Sequence, residues 1–317
     1  MARIVFMGTP DFAVPTLEVL ADTHRVVGVV TQPDRKSGRG RQLKPSPVKR
    51  VALERGLPLF QPQTLRTPDP LACLADWEPE VIVVAAFGQI LLQDVLDIPP
   101  HGCLNVHASL LPRWRGAAPV AAAILAGDES TGVTIMRMDA GLDTGPILAQ
   151  REKPIRSDDT RATLWKRLSR LGATLLLEML PAYLAGDLPP RPQPEERVTY
   201  AEQLRKEDGL LDWSRPAVEL DCQMRAFTPW PSVFTFWRER RLKVLWATPL
   251  PDWRGDAPPG AVVALADGVA VAAGKGALRL ERVQLAGKRA MDIEVFLQGQ
   301  RDLVGSRLDS GRMTKDE

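Results

Sequence analysis

Gly102-Cys103-Leu104-Asn105-Val106-His107-Ala108-Ser109-Leu110-Leu111-Pro112-Arg113-Trp114-Arg115-Gly116 begins as a strand and ends as a loop. Side chains alternate faces along a strand, so Asn105 and His107 project from one face of Cys103–His107. Ser109-Leu110-Leu111-Pro112 then carries the chain out of the sheet. In an open α/β sheet, ligands bind beyond the carboxyl ends of the strands. Two polar side chains thus converge where a ligand is expected. A strand-end Asn and His also serve as a hydrogen-bonded pair that merely satisfies a sheet margin, and this stretch alone leaves both readings open.

Outward from it, residues 1–187 alternate short β-branched runs with helical stretches, the pattern of a parallel sheet covered by helices. Further strands are expected at Arg3–Met7, Val26–Thr31, Val81–Ala85 and Thr131–Met138. A helix is expected from Ser46 as N-cap, through Pro47 in the first turn, to Gly56 just past its end. Leu188–Val198 holds four prolines in eleven residues, which neither a helix nor a sheet interior tolerates. Beyond it, Val233–Trp237, Leu242–Ala247, Ala261–Ala266, Val269–Ala273 and Ala277–Val283 read as short strands, with Asp267-Gly268 at a two-residue hairpin position. The expected architecture is a Rossmann-like, mostly parallel α/β domain at 1–187 and a proline-rich linker at 188–205. A small antiparallel β-barrel of the oligonucleotide-binding type follows at 206–317.

A chain of 317 residues suits two such domains. With 44% apolar and 25% charged residues its composition is globular, and no apolar run approaches the ~20 residues of a membrane span. Met1–Thr9 enters a strand pattern directly, without the features of an export leader. Cys73, Cys103 and Cys222 are odd in number and form no Cys-x-x-Cys pair, so neither a disulfide framework nor a zinc cluster is expected. These features point to a soluble, cytoplasmic protein without a bound metal. The formal net charge of +2 argues against uniform wrapping by nucleic acid, but charge is distributed unevenly. Between Asp34 and Arg50 stand Arg35, Lys36, Arg39, Arg41, Lys44, Lys49 and Arg50 against the single acid Asp34.

Asp143 lies in Asp139-Ala140-Gly141-Leu142-Asp143-Thr144-Gly145, where an Asp among glycines commonly makes a turn. Joined to Asn105 and His107, however, its carboxylate completes a set able to perform acyl transfer to an amine without a covalent intermediate. The amide and an imidazolium would stabilise the developing oxyanion. The carboxylate would hold the imidazole charged or take up a proton.

Asn105-x-His107, Ser109-Leu110-Leu111-Pro112 and Asp143 together resemble the signature of the formyltransferases that use 10-formyltetrahydrofolate. Gly8-Thr9-Pro10-Asp11-Phe12, Gln32-Pro33-Asp34-Arg35, Gly38-Arg39-Gly40, Pro45-Ser46-Pro47-Val48-Lys49 and Pro112-Arg113-Trp114-Arg115-Gly116-Ala117-Ala118-Pro119 resemble the branch of that family that acts on methionyl-tRNA. The likeness covers nearly the whole chain, including Trp213, Arg225-Ala226-Phe227 and Pro229-Trp230-Pro231. It implies that Asn105, His107 and Asp143 are catalytic and that Ser109, Leu110, Leu111 and Pro112 bind the folate. Phe87-Gly88-Gln89-Ile90 would help line the pterin pocket. The formyl donor would be 10-formyltetrahydrofolate, and the acceptor the α-amino group of methionine on initiator tRNA, for translation initiation. No metal, membrane or obligate protein partner is implied.

Charge alone leaves the segment Arg35–Lys44 open between a solvated tip and a phosphate-contacting loop. The resemblance implies the latter, with Arg35, Arg39, Arg41 and Lys44 on the tRNA and Arg39 its main reader. Arg238, Arg240, Arg241, Lys243, Lys288 and Arg289, near Trp237 and Trp246, would add a basic platform for RNA on the barrel. Three rivals stand beside this reading. A dinucleotide-dependent oxidoreductase is poorly served, because Gly8-Thr9-Pro10-Asp11-Phe12-Ala13 supplies one of the three glycines the fingerprint needs. A formyltransferase with a small amine substrate would share the trio but not need the basic segment. A non-catalytic RNA-binding protein would not need the trio.

Overall fold

The computed structural model describes residues 1–37 and 42–309. They pack as two compact units, one formed by Met1–Pro119, Ser130–Pro154 and Thr163–Ala201, the other by Val120–Glu129, Ile155–Ala162 and the residues from Glu202 onward.

The first unit is built on a seven-stranded sheet in the order Ile147–Pro154, Ser130–Arg137, Cys103–His107, Val81–Ala85, Arg3–Gly8, Arg25–Val30, Leu59–Phe60. The last five are mutually parallel, and Ser130–Arg137 runs antiparallel to both of its neighbours. Ile4, Val5, Phe6, Ile82, Val83 and Leu104 are fully buried, as expected of strands covered on both faces. From Arg3–Gly8 the chain first builds outward to Arg25–Val30 and Leu59–Phe60. It then crosses back to Val81–Ala85 on the other side. The crevice at that reversal is where ligands of doubly wound sheets bind, and the Thr9 hydroxyl spans it by donating to the Phe87 carbonyl at 2.9 Å.

The helix expected after Ser46 runs Pro47–Glu54, with the Ser46 hydroxyl accepting the Lys49 amide and Gly56 in the left-handed region at φ +63°. Helix Arg161–Leu184 buries Leu164, Leu168, Gly172, Leu176 and Leu180, spaced four apart on one stripe. Gly172 is required there: a Cβ would stand 2.5 Å from Val106 on strand Cys103–His107. Strands Ile147–Pro154 and Leu59–Phe60 escape the sequence reading. The first is a charged sheet edge, Gln150-Arg151-Glu152-Lys153, whose composition discourages edge pairing and hides its alternation, and the second is two residues long.

The second unit holds an antiparallel sheet in the order Val233–Trp237, Arg240–Leu250, Ala277–Leu285, Gly268–Ala272, Val262–Leu265. Its two edges are joined through one segment: Asp309 bridges Phe236 at one end, while Arg307 bridges Ala261 beside the other. That closure makes the small barrel. Its second hairpin differs from expectation, because Leu265 pairs with Gly268 and the two loop residues are Ala266 and Asp267, with Gly268 already in the strand. In the first hairpin Arg238 and Glu239 adopt φ of +50° and +61°, the handedness a two-residue turn requires, without glycine. Among the described residues, no helix is long and apolar enough to cross a membrane, and no group of three His, Cys, Asp or Glu is placed to hold a metal ion.

Candidate active site

Asn105 and His107 sit on a strand laddered on both sides. Asn105 lies opposite Val84 and Met136, and His107 opposite Thr134. Their spacing of two places both side chains on one face, as the alternation predicts. Asp143 arrives from a loop in which its own φ is +53°. The Asp139 carboxylate ties that loop together by accepting from the Gly141 amide at 3.1 Å and the Thr144 hydroxyl at 2.6 Å.

The three side chains meet. Asn105 Nδ2 donates to Asp143 Oδ1 at 3.4 Å, and His107 Nδ1 stands 3.7 Å from Asp143 Oδ2. The Gly116 amide donates to the same Oδ2 at 2.8 Å. His107 Nε2 lies 3.1 Å from the Trp114 carbonyl, which only accepts, so this nitrogen carries the proton and Nδ1 faces the carboxylate. His107 and Asp143 side chains are 7% and 13% exposed, which leaves their mutual interaction little screened by water. Gly116 is at φ +116°, and a Cβ there would meet the Ala201 carbonyl at 2.6 Å, so glycine is needed to bring its amide to Asp143.

The loop 109–116 is shaped largely from within. Ser109 is fully buried, and its hydroxyl donates to the Arg113 carbonyl at 2.6 Å. Leu111 packs with Met136, Ile147 and Met138, Leu110 fills the space beside Gly132, and Pro112 is buried. The Thr134 hydroxyl is the hub: it donates to the Ser109 carbonyl at 2.7 Å and accepts from the Leu111 amide and from Gln150 Nε2, both at 3.0 Å. Phe87 is buried in the neighbouring core, whereas Ile90 is exposed.

The basic segment begins and ends as a short ribbon, Arg35–Ser37 against Gln42–Lys44. Arg35 and Lys44 are exposed on it, while Arg39 and Arg41 lie outside the described residues. At its base, Lys49 Nζ meets Asp34 Oδ2 at 2.7 Å and Gln61 Nε2 donates to Asp34 Oδ1 at 2.9 Å. The Lys49 bond first, and the Gln61 bond second, hold the Asp34 carboxyl below the ordinary aspartate range.

Trp114, Gly116, Thr134, Gln150, Gln193 and Thr199 all help to hold this corner, and the sequence reading assigns none of them a part in it. Apart from the Trp114 carbonyl, seven residues from His107, their partners are distant in sequence and leave no residue pattern to read.

Residues 2–180 match the formyl transferase family and residues 203–301 the formyl transferase C-terminal domain. The methionyl-tRNA formyltransferase of Roseiflexus castenholzii is 50% identical over 96% of this chain and 98% of its own length. That of Myxococcus xanthus is 50% identical over 96% and 97% respectively. In fold, the chain is similar to the N-formyltransferase of Helicobacter canadensis, solved in complex with folinic acid and dTDP-3-aminofucose. The TM-score is 0.65 at 17% identity, covering 91% of this chain and all of the other. A strand-borne Asn and His, a loop-borne Asp and a barrel after the sheet therefore stand in a chain that belongs to the formyl transferase family, among the methionyl-tRNA formyltransferases.

Proposed function

We propose that this enzyme transfers the formyl group of 10-formyltetrahydrofolate to the α-amino group of methionine on initiator tRNA, in the cytoplasm, for translation initiation. The observation that carries the proposal is the convergence of Asn105, His107 and Asp143 on one partly buried corner at the carboxyl end of strand Cys103–His107. The folate supplies an activated formyl carbon, and this chain's residues manage the charges and protons around it.

The carboxamide nitrogen of an asparagine side chain has two N–H groups. Asn105 gives one to Asp143 and keeps the other for the oxyanion that develops on the formyl oxygen. The acceptor amine, with an ordinary pKa of ~7.7–8.0, must shed a proton before or during attack. His107 Nδ1 is the basic atom of the imidazole, because Nε2 is committed to the Trp114 carbonyl. Once Nδ1 holds a proton, the ring's positive charge has Asp143 as its counter-charge, and that proton is available to the departing folate nitrogen.

Ser109, Leu110, Leu111 and Pro112 serve the folate mainly by fixing the course of their loop. Residues 1–187 carry the chemistry, 188–205 connect, and 206–317 dock the tRNA. Arg35, Arg39, Arg41 and Lys44 contact its acceptor end, through phosphate and base edges. The test is to incubate the protein with 10-formyltetrahydrofolate and with aminoacylated initiator or elongator tRNA, then look for formylmethionine. Formylation of the initiator alone is expected. Equal formylation of both removes the initiator assignment, and formylation of a small amine in preference to either removes the tRNA assignment. Arg39→Ala should raise KM for the initiator while leaving folate binding unchanged, and unaltered tRNA kinetics would make the segment a solvated tip.

A further inference from the structure

We infer that Gln193, in the proline-rich connection, is a positioning residue for the Asp143 carboxylate, so that the connection is part of the catalytic corner as well as a join between domains. The inference rests on the reading of Asp143 as catalytic.

Gln193 is 8% exposed and every polar function of its amide is engaged. Nε2 donates to the carbonyl of Asp143 at 2.8 Å and to that of Gly145 at 2.7 Å. Oε1 accepts from Nε and Nη2 of the buried Arg115, at 3.0 and 2.8 Å. The guanidinium only donates, which fixes the amide orientation and directs both N–H groups at the Asp143 loop. One side chain thereby ties together the two loops that bring Asp143 and Gly116 to the site.

The restraint falls where it is needed. Asp143 holds a left-handed backbone without being glycine, a conformation that persists only when the surroundings over-determine it. Its carboxylate oxygens are occupied by Gly116 and Asn105, and the Asp139 turn grips the loop on the other side. Gln193 is the side chain that holds the Asp143 carbonyl itself.

The same segment pins the histidine side. The Thr199 hydroxyl accepts the Trp114 amide at 2.9 Å, the Thr199 carbonyl accepts the Arg115 amide at 2.9 Å, and Arg191 exchanges two backbone bonds with Ile147. Trp114, at φ +64°, is the residue whose carbonyl fixes the His107 ring.

The test separates the two ends of the clamp. Gln193→Glu keeps an acceptor for Arg115 but sets a carboxylate oxygen against two carbonyls. Gln193→Met keeps the length and removes both functions, and serves if the charge of Glu prevents folding. Misplacement of a reacting group by about 1 Å costs up to ~10²-fold in rate. Both variants should therefore lose about 10- to 100-fold in kcat, with KM for folate and for Met-tRNA within about threefold of the parent. In an Asp143→Asn background the Gln193 substitution should change the residual rate by no more than about twofold, since it acts through the group already removed. A folded Gln193 variant with parental kcat, or one that loses the same factor in both backgrounds, overturns the inference while leaving the role of Asp143 intact. Parental activity in Asp143→Asn itself overturns the catalytic reading and this inference with it.

Discussion

Two aspartates in the first unit are held in opposite ways. Asp143 is gripped by neutral groups, an amide side chain and a backbone N–H, with its own carbonyl clamped by Gln193 and the His107 ring beside it. Asp34, at the foot of the basic segment, is held chiefly by a lysine and is twice as exposed, at 29% against 13%. Hydrogen bonds of fixed direction aim a charge, whereas a partly solvated ion pair anchors a chain without aiming anything. The contrast predicts that substitutions in the first region are read in rate and those in the second weakly in stability.

The largest effect is expected at Asp143. Asp143→Asn preserves shape and removes the charge facing His107 Nδ1, and a lost general acid–base function costs ~10²–10⁴ in rate. Single-turnover formyl transfer should fall by that order with folding intact. His107→Asn should do the same, and the double variant should be scarcely slower than the worse single one, as the proposed sharing of one proton requires. Fully additive losses would show two independent groups.

Asn105→Ala should cost somewhat less, ~10²–10³ in kcat, as loss of one oxyanion donor does. Little change in tRNA affinity is expected. A rate within tenfold of the parent would leave Asn105 as a holder of Asp143 and nothing more. Thr134→Val moves the question from chemistry to the scaffold. It deletes the fully buried hydroxyl that serves Ser109, Leu111 and Gln150, leaving the Leu111 amide without that acceptor at a cost of about 1–3 kcal/mol. Denaturant unfolding should register this loss, with an unchanged m-value showing that the fold itself survives.

How much of this was legible in the sequence depends on the range of the physical signal. Cys103–His107, Val81–Ala85 and Val233–Trp237 are observed with the expected bounds, because burial on the sheet writes itself into consecutive residues. The Ser46 cap and Gly56 stop were legible for the same local reason. That Asn105 and His107 share one face follows from period two alone, but Asp143 acquires its partners only when a turn 38 residues from Asn105 folds over the strand end. Gln193 lies 50 residues from Asp143 and 78 from Arg115, among prolines that announce irregular backbone and nothing about its partners. The edge strand Ile147–Pro154 was masked by the charges of Arg151, Glu152 and Lys153, which hide its alternation.

The smallest effect, and the one that sharpens the contrast from the other side, is expected at Asp34. Its carboxyl is held below the ordinary value of ~3.9 by the Lys49 bond, then by Gln61. A depressed folded value means that the contribution to stability is fully present above the unfolded value and is lost as pH falls through the folded one. Between pH 5 and neutrality the parent should therefore exceed Asp34→Asn in stability by a small, constant margin. Below about pH 4 the margin should shrink with falling pH, as the parent takes up the proton the variant never had. Added salt should shrink it too, since the pair is partly solvated. Formylation at neutral pH should be nearly untouched by Asp34→Asn, because Arg35 remains tied to Gln32 by a bond of 3.0 Å that does not involve Asp34. A loss of rate approaching that of Asp143→Asn would mean that the ion pair aims the basic segment as well as anchoring it, and the distinction between the two regions would fall.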